Sequence, residues 1–241
     1  MIRTLTAADF DAVHAAFLDA FSDYVVKLSL TKEQLQEMLT RRGWVPELSV
    51  GLEEEGRLVA FTLNGIDGKR AYDSGTGVTI SHRRRGLGRK VMEACFELLG
   101  DRQYVLEVID SNTRAIALYK GLGFQETRGL QSWTFEHPKA EVSVDAQFEP
   151  SWQNSDASVA RARDTHVTLG DERGSVVLFP NTGDLAQLRG RVSTSLLREA
   201  LERAGKPLRI MNVDERDGAM AAFLEEAGAT KIVRQLEMLR T

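Results

Sequence analysis

Apolar positions along this chain change period several times, and each change marks a predicted element. Residues 2–5 read as a short strand, after which Thr6 suits a helix N-cap ahead of Phe10, Val13, Ala16, Phe17 and Phe21 at helical spacing. A second helix opens on a capping-box pattern, Thr31 to Gln34, and stops by Gly43. Residues 48–53 and 57–65 read as strands on either side of the turn Glu54-Glu55-Gly56, a hairpin, and residues 70–80 as a further strand. The acidic run Glu53-Glu54-Glu55 is then a solvated turn. Helical spacing returns with Val91, Met92, Cys95, Phe96 and Leu99 and ends at Gly100. A strand at 103–109 follows, then a helix that opens at Asp110, Ser111 or Asn112 and closes before Gly123. A strand pair at 124–127 and 131–136 completes the order β-α-α-β-β-β-α-β-α-β-β, an α/β fold with a mixed sheet.

A composition shift marks the middle. Residues 138–160, with Pro138, Pro150, Ser151, Asn154, Ser155 and Ser158, read as a linker holding one strand at 142–148. Three segments result: residues 1–137, the linker 138–160, and residues 161–241. The third segment reads as a faded copy of the first. A shift of 105 positions carries Gly123 onto Gly228, Gly100 onto Gly205, Val108 onto Val213, and Val91, Met92, Cys95 and Phe96 onto Leu196, Leu197, Ala200 and Leu201.

Composition narrows the function. With 241 residues and 42% hydrophobic content the chain can bury one large core or two modest ones. A net charge of -4 gives no general field for nucleic acid or an acidic membrane, so neither is an expected partner. Cys95, the sole cysteine, falls on the apolar phase of its helix and reads as a core residue. His14, His82, His137 and His166 are scattered, and no metal site is expected. No stretch approaches the ~20 apolar residues that span a bilayer, and the first residues lack a signal-like apolar core, so a cytoplasmic protein is expected.

The most informative stretch joins the strand at Val78-Thr79-Ile80 to the next helix through His82-Arg83-Arg84-Arg85-Gly86-Leu87-Gly88-Arg89. Missing side chains at Gly86 and Gly88 let backbone N–H groups approach a phosphate, the helix start adds partial positive charge, and four arginines add cations. It reads as a pyrophosphate cradle. It lacks the glycine spacing and the Lys-Ser/Thr of a P-loop, and it has two of the three glycines of the dinucleotide fingerprint.

Arg83, Gly86 and Gly88, followed by Leu106, Glu107, Val108, Asn112, Ala115, Leu118, Tyr119, Gly123 and Phe124, stand in a pattern that resembles the GCN5-related N-acetyltransferases (GNAT) over residues 1–137. The resemblance implies the acyl-CoA N-acyltransferase fold and acetyl-coenzyme A as co-substrate. The donor-binding residues it implies are Val78, Thr79, Ile80, Arg83, Arg84, Arg85, Gly86, Leu87, Gly88, Arg89, Asn112 and Tyr119, with backbone N–H groups of Val78, Thr79 and Ile80 polarising the thioester carbonyl. In such enzymes the residue matching Tyr119 protonates the sulfur and the one matching Asn112 contacts the pantetheine arm.

An amine acceptor must lose a proton before it attacks. Glu107, a carboxylate between Leu106 and Val108 on an interior strand, is the base candidate, and partial desolvation would move its pKa toward a useful value. Its stretch, residues 106–112, resembles the ribosomal-protein alanine N-acetyltransferases, where the matching Glu is the base. Pairing with an arginine, or action through water, stays open; His82 and Asp73 are weaker substitutes. The resemblance lines the acceptor cleft with the loop at 21–28, where Asp23 could meet an ammonium and Phe21 and Tyr24 could make apolar or cation-π contact. The acceptor is a small-molecule or peptide amine, and the chain a monomer or homodimer.

The chemistry does not recur in the third segment. The same shift puts Arg191 and Ser193 at Gly86 and Gly88, Asn212 at Glu107, Asp217 at Asn112 and Leu224 at Tyr119. A degenerate GNAT-like copy that binds no coenzyme A is expected, its side chains at 191 and 193 crowding the cradle; it would shape the acceptor cleft or offer a dimer face. Two function classes follow: an acetyl-coenzyme A dependent N-acetyltransferase, or a non-catalytic acyl-coenzyme A binding module. Retention of Tyr119 and Glu107 favours the enzyme.

Overall fold

A computed structural model describes residues 1–24, 29–147 and 149–241. They form two compact units that do not follow the sequence halves. The first holds Met1–Leu106, Arg114–Gln125 and Leu239–Thr241; the second holds Glu107–Thr113 and Glu126–Met238.

In the first unit the chain runs β1 (Ile2–Thr4), α1 (Phe10–Ala20), α2 (Lys32–Arg42), β2 (Val50–Glu54), β3 (Arg57–Asp67), β4 (Arg70–Val78) and α3 (Leu87–Leu99), then into β5 (Gln103–Ile109) and α4 (Thr113–Lys120). Its strands order as β1-β2-β3-β4-β5. Local chemistry sets the ends. Thr6 and Asp9 cap a 3-10 turn before α1, the Thr31/Gln34 box starts α2, and Gly43 ends it in the left-handed region (φ 76°). The apolar faces of α1 and α2 bury Val13, Phe17, Leu35 and Leu39 against Phe61 and Leu63 of β3. Residues 79 and 80 leave the strand that the sequence pattern extends through them, because a 3-10 turn, Ile80–His82, begins there.

The second unit adds β6 (Gln125–Phe135), β7 (Ser143–Ala146), α5 (Asp156–Arg161), β8 (Val167–Gly170), β9 (Gly174–Phe179), β10 (Asp184–Ser193), α6 (Thr194–Ala204), β11 (Leu208–Asp214), α7 (Gly218–Ala227) and β12 (Thr230–Arg240). From Glu107 on, β5 continues the order β5-β12-β6-β11-β10-β9-β8, with β7 on β10. Where two strands are expected at 124–136, β6 is one. Gly129 and Leu130 do not turn, since the Gly129 carbonyl accepts from Glu215 N–H and Leu130, buried, pairs with Asp214 of β11. The core of this unit packs Trp133, Phe135, Leu178, Leu197, Ile210, Phe223 and Leu224.

The 105-residue shift carries β5 onto β11 and β6 onto β12 at both ends, α4 onto α7 at its start, and the end of α3 with Gly100 onto the end of α6 with Gly205. Upstream the register fails, because β4 ends at Val78 and α3 starts at Leu87, whereas β10 ends at Ser193 and α6 starts at Thr194. Arg191 and Ser193 therefore do not crowd a cradle. They lie in a strand, and the turn itself is missing.

Candidate functional site

The site begins with a register fault. Asn64 pairs with Asp73 and Leu63 with Gly75, so Ser74 is an extra residue that bulges β4. β4 and β5 pair in parallel only from Arg70↔Gln103 to Tyr72↔Val105. Past that point the outer edge of β4, opposite β3, has no ladder partner among the described residues. Thr79 N–H donates inward to the Val59 carbonyl at 2.9 Å. Alternation then turns the N–H and carbonyl of Val78 to the outer edge, where Arg83 Nε donates to the Val78 carbonyl at 3.3 Å. Ile80 N–H is taken by Asp19 Oδ1 at 2.7 Å. Of the three expected donors to a thioester carbonyl, only Val78 points outward.

The turn then enters α3 through Gly86, whose φ of 73° is a left-handed conformation in which a β-carbon would meet nothing within 4 Å. At Gly88 a β-carbon would make only ordinary contacts, 3.5 Å to Leu118 Cδ2 and 3.6 Å to Val78 Cγ2. Packing therefore does not require glycine at 88, and both positions leave the helix start bare. The first N–H groups of α3 have no acceptor within the helix. Leu87 is buried and anchors the turn, so only its backbone is offered.

The arginines divide. Arg83 gives two bonds to Asp23, at 2.7 and 2.8 Å, and one to the Ala20 carbonyl at 2.8 Å, which makes it a bracket from the end of α1 to β4. Asp23 is thereby held by Arg83, which keeps its carboxyl below the ordinary range. Arg85 forks onto Glu54 at 2.9 and 3.0 Å, and Arg89 reaches Glu93 and the Gly121 carbonyl. Both pairs are solvent-exposed and easily exchanged. Arg84 is exposed, in a left-handed conformation (φ 63°), with no ion pair among the described residues. His82 Nδ1 is shared by Thr79 and Ser81 hydroxyls at the base of the turn. An open strand edge, a helix start without side chains and exchangeable cations fit the phosphates and extended arm of coenzyme A.

Tyr119 on α4 is buried, edge-on to Phe124 with ring centroids 5.8 Å apart. Burial, then the charges of Asp73 and Tyr24, pushes its phenol well above the ordinary range, so it stays protonated. Burial also lifts Asp73, to about 6; its carboxylate accepts from Gly75 N–H at 2.9 Å and from the Thr76 hydroxyl at 2.8 Å. Thr76 in turn contacts Met92 Sδ, which puts Asp73 on the α3 side of β4. Phe21 packs on Phe17 and edge-on to Tyr24, and residues 25–28 of that loop lie outside the described residues.

In the second unit, Asn112 is half-buried directly before α4, its N–H on the Ile109 carbonyl at 2.9 Å. Glu107 Oε2 accepts from Gln153 Nε2 and Asn212 Nδ2, both at 2.7 Å. Sequence reasoning missed Asp19, Gln153 and the part played by Asn212. Only Asn212 carried a signal, as the residue that the 105-residue shift puts in place of Glu107. Among the described residues no cluster of His, Cys, Asp and Glu suited to a metal ion occurs, and no helix is long and apolar enough to cross a membrane.

Comparison with known proteins gives the family. The profile of the Acetyltransferase (GNAT) family matches residues 11–124, which contain β4, the glycine turn, α3, Glu107 and Tyr119. A ribosomal protein bS18-alanine N-acetyltransferase of Salmonella typhimurium is 34% identical over 102 residues, 41% of this chain and 67% of that one. A mycothiol acetyltransferase of Clavibacter sepedonicus is 29% identical over 129 residues, 52% of this chain but only 42% of that one, so less than half of that relative's length is spanned. A GCN5-related N-acetyltransferase of Sphaerobacter thermophilus shares the fold across 100% of this chain and 95% of its own, with a TM-score of 0.72 at 13% identity. The turn and its neighbours thus lie within a matched segment, and the chain belongs to the GNAT family of acetyltransferases.

Proposed function

We propose that this chain transfers the acetyl group of acetyl-coenzyme A to a primary amine, on a small molecule or a peptide, by direct attack. The observation that supports this most is the open edge of β4, with Val78 N–H facing outward just before the bare start of α3. Bound there, acetyl-coenzyme A supplies an activated thioester. Gly86, Gly88 and the first N–H groups of α3 hold its pyrophosphate, helped by Arg84 and by Arg85 and Arg89 once they exchange their surface partners. Asn112 contacts the pantetheine arm.

Val78 N–H donates to the acetyl carbonyl oxygen. Glu107 takes a proton from the acceptor ammonium, and the freed nitrogen attacks the carbonyl carbon. As the C–N bond forms and the C–S bond breaks, Tyr119 gives its proton to the leaving sulfur, and the second proton shed by the nitrogen as the amide forms restores the Tyr119 phenol. Asp73 is a second base candidate, favoured by a pKa near 6 but held on the α3 side by Gly75 and Thr76. The 161–241 half we read as a degenerate copy that holds no donor.

Coenzyme A release is the test, run over an alanine-ended hexapeptide, an N-acetylated peptide with one lysine, and small primary amines. At least one acceptor turns over, and Tyr119→Phe and Glu107→Gln each lower kcat about a hundredfold, the scale of one lost proton-transfer group, while Asp73→Asn does not. If every amine is inert while acetyl-coenzyme A still raises the melting temperature, the chain is a donor-binding module instead.

A further inference from the structure

Glu107 and Asn212 occupy equivalent places under the 105-residue shift, and their side chains are hydrogen-bonded to each other at 2.7 Å. The asparagine is costly where it stands. It is fully buried, in a bulge of β11 where the pairs Ile210↔Trp133 and Val213↔Gln131 leave one residue extra, and its φ is 58°. Glycine would fill that left-handed position without burying an amide. The amide is instead directed: Nδ2 donates to Glu107 and to Ser151 Oγ at 3.2 Å, and the backbone N–H to Ser132 Oγ at 3.3 Å. Ser132 and Ser151 are themselves buried. Gln153, from the 3-10 turn Trp152–Asn154, brings a second amide to the same carboxylate oxygen, also at 2.7 Å.

Two NH2 donors converging on one oxygen fix the plane of a carboxylate, and neither can compete with it for a proton. We propose that Asn212 and Gln153 are positioning residues for the Glu107 carboxylate, so that the linker and the C-terminal half, which lack the glycine turn, supply the support of the catalytic base. This rests on the acetyl-transfer reading, in which the acceptor's proton passes to Glu107.

The test is a double-mutant cycle on the full chain, with the panel amine that the parent turns over fastest. Asn212→Asp keeps shape and left-handed tolerance but replaces donors with acceptors, and Asn212→Gly keeps the backbone and removes the amide. Each lowers kcat roughly tenfold to a hundredfold, the scale of a misplaced catalytic group, with KM for acetyl-coenzyme A within about twofold. In a Glu107→Gln background the same changes cost nothing further, since they act only through that carboxylate. A structural role would give additive losses, and additivity overturns the proposal, as does an unchanged kcat. Should the Asn212 variants fail to fold, Gln153→Ala leaves the bulge of β11 untouched and must show the same non-additivity. A parent inert toward every amine defeats the acetyl-transfer reading and this role with it, whereas an active parent with additive losses defeats only this role.

Discussion

The two units present the same joint, a bulged strand entering a helix, in opposite states. In the first, β4 bulges at Ser74, parts from β5 after Tyr72, and reaches α3 through a turn with two glycines. In the second, β10 bulges at Ala186 and pairs with β11 only at Asp184 and Leu185, so it too gains a free edge. That edge is filled by the protein itself. β7 runs antiparallel along β10, Val144 opposite Val192, and the Val142 carbonyl accepts from Thr194 N–H at 3.0 Å at the start of α6. Ser193 caps the next turn, and Glu141 pairs with Arg198 of α6. A strand, a carbonyl and a carboxylate thus satisfy in the second unit what is left exposed in the first. The lesson is that a parted strand edge must find a partner. Where the described residues supply none, the edge stands ready for a ligand.

The sharpest way to break this contrast is to close the first joint. Gly86→Glu puts a side chain on a left-handed residue at the helix start and adds a carboxylate where phosphates would sit. Affinity for acetyl-coenzyme A, measured by calorimetry, should fall more than about a hundredfold, by strain and like-charge repulsion together. Arg191→Glu, the position that the 105-residue shift equates with Gly86 but which lies within β10, should leave it unchanged. Equal losses from both would mean that the donor is not held by the turn.

Opening the second joint should cost stability and bring no new ligand. Val144→Pro removes a ladder donor from β7 and disturbs a residue packed against the core of the second unit. A destabilisation of about 2 kcal/mol, one or two lost hydrogen bonds with their packing, should appear in urea unfolding. Coenzyme A stoichiometry should stay at one per chain, because no turn precedes α6 to receive a phosphate. Two equivalents bound to the variant would show that β7 alone seals the second edge.

Much of this was legible where the cause is local. The α2 capping box, the 103–109 strand and the glycine stops at 43 and 100 are short-range signals, and the helix and strand bounds agree with them. What the sequence hid depends on partners far along the chain. Gly129-Leu130 looks like a turn until β11 lies beside it. Asp23 looks like an ammonium ligand until Arg83, sixty residues away, takes it, and Asp19 gives no local hint that it holds Ile80 N–H. The 105-residue shift marked Asn212 as a loss relative to Glu107, and only the hydrogen bond between them gives that substitution a use.

The smallest expected effect separates the two bulges by charge. The first carries Asp73 beside Ser74; the second is built from Leu185, Ala186 and Gln187 without an acid, so a bulge of this kind does not itself need one. Burial raises the Asp73 carboxyl from an ordinary 3.8 to about 6. Between those values the folded chain binds more protons than the unfolded one, so this group's contribution to stability falls as pH rises through the window and is at its worst above 6. Asp73→Asn keeps one oxygen for Gly75 N–H, turns its NH2 toward the Thr76 hydroxyl oxygen, and removes the charge. Its advantage over the parent should therefore be greater at pH 8 than at pH 4.5, by at most about 2 kcal/mol, the attraction of Arg42 being already contained in the raised value. Unfolding midpoints at the two pH values decide it. An advantage no greater at pH 8 than at pH 4.5 would mean that the charge at this bulge is held in place by the donor site, and that the two joints differ in what they need as well as in what fills them.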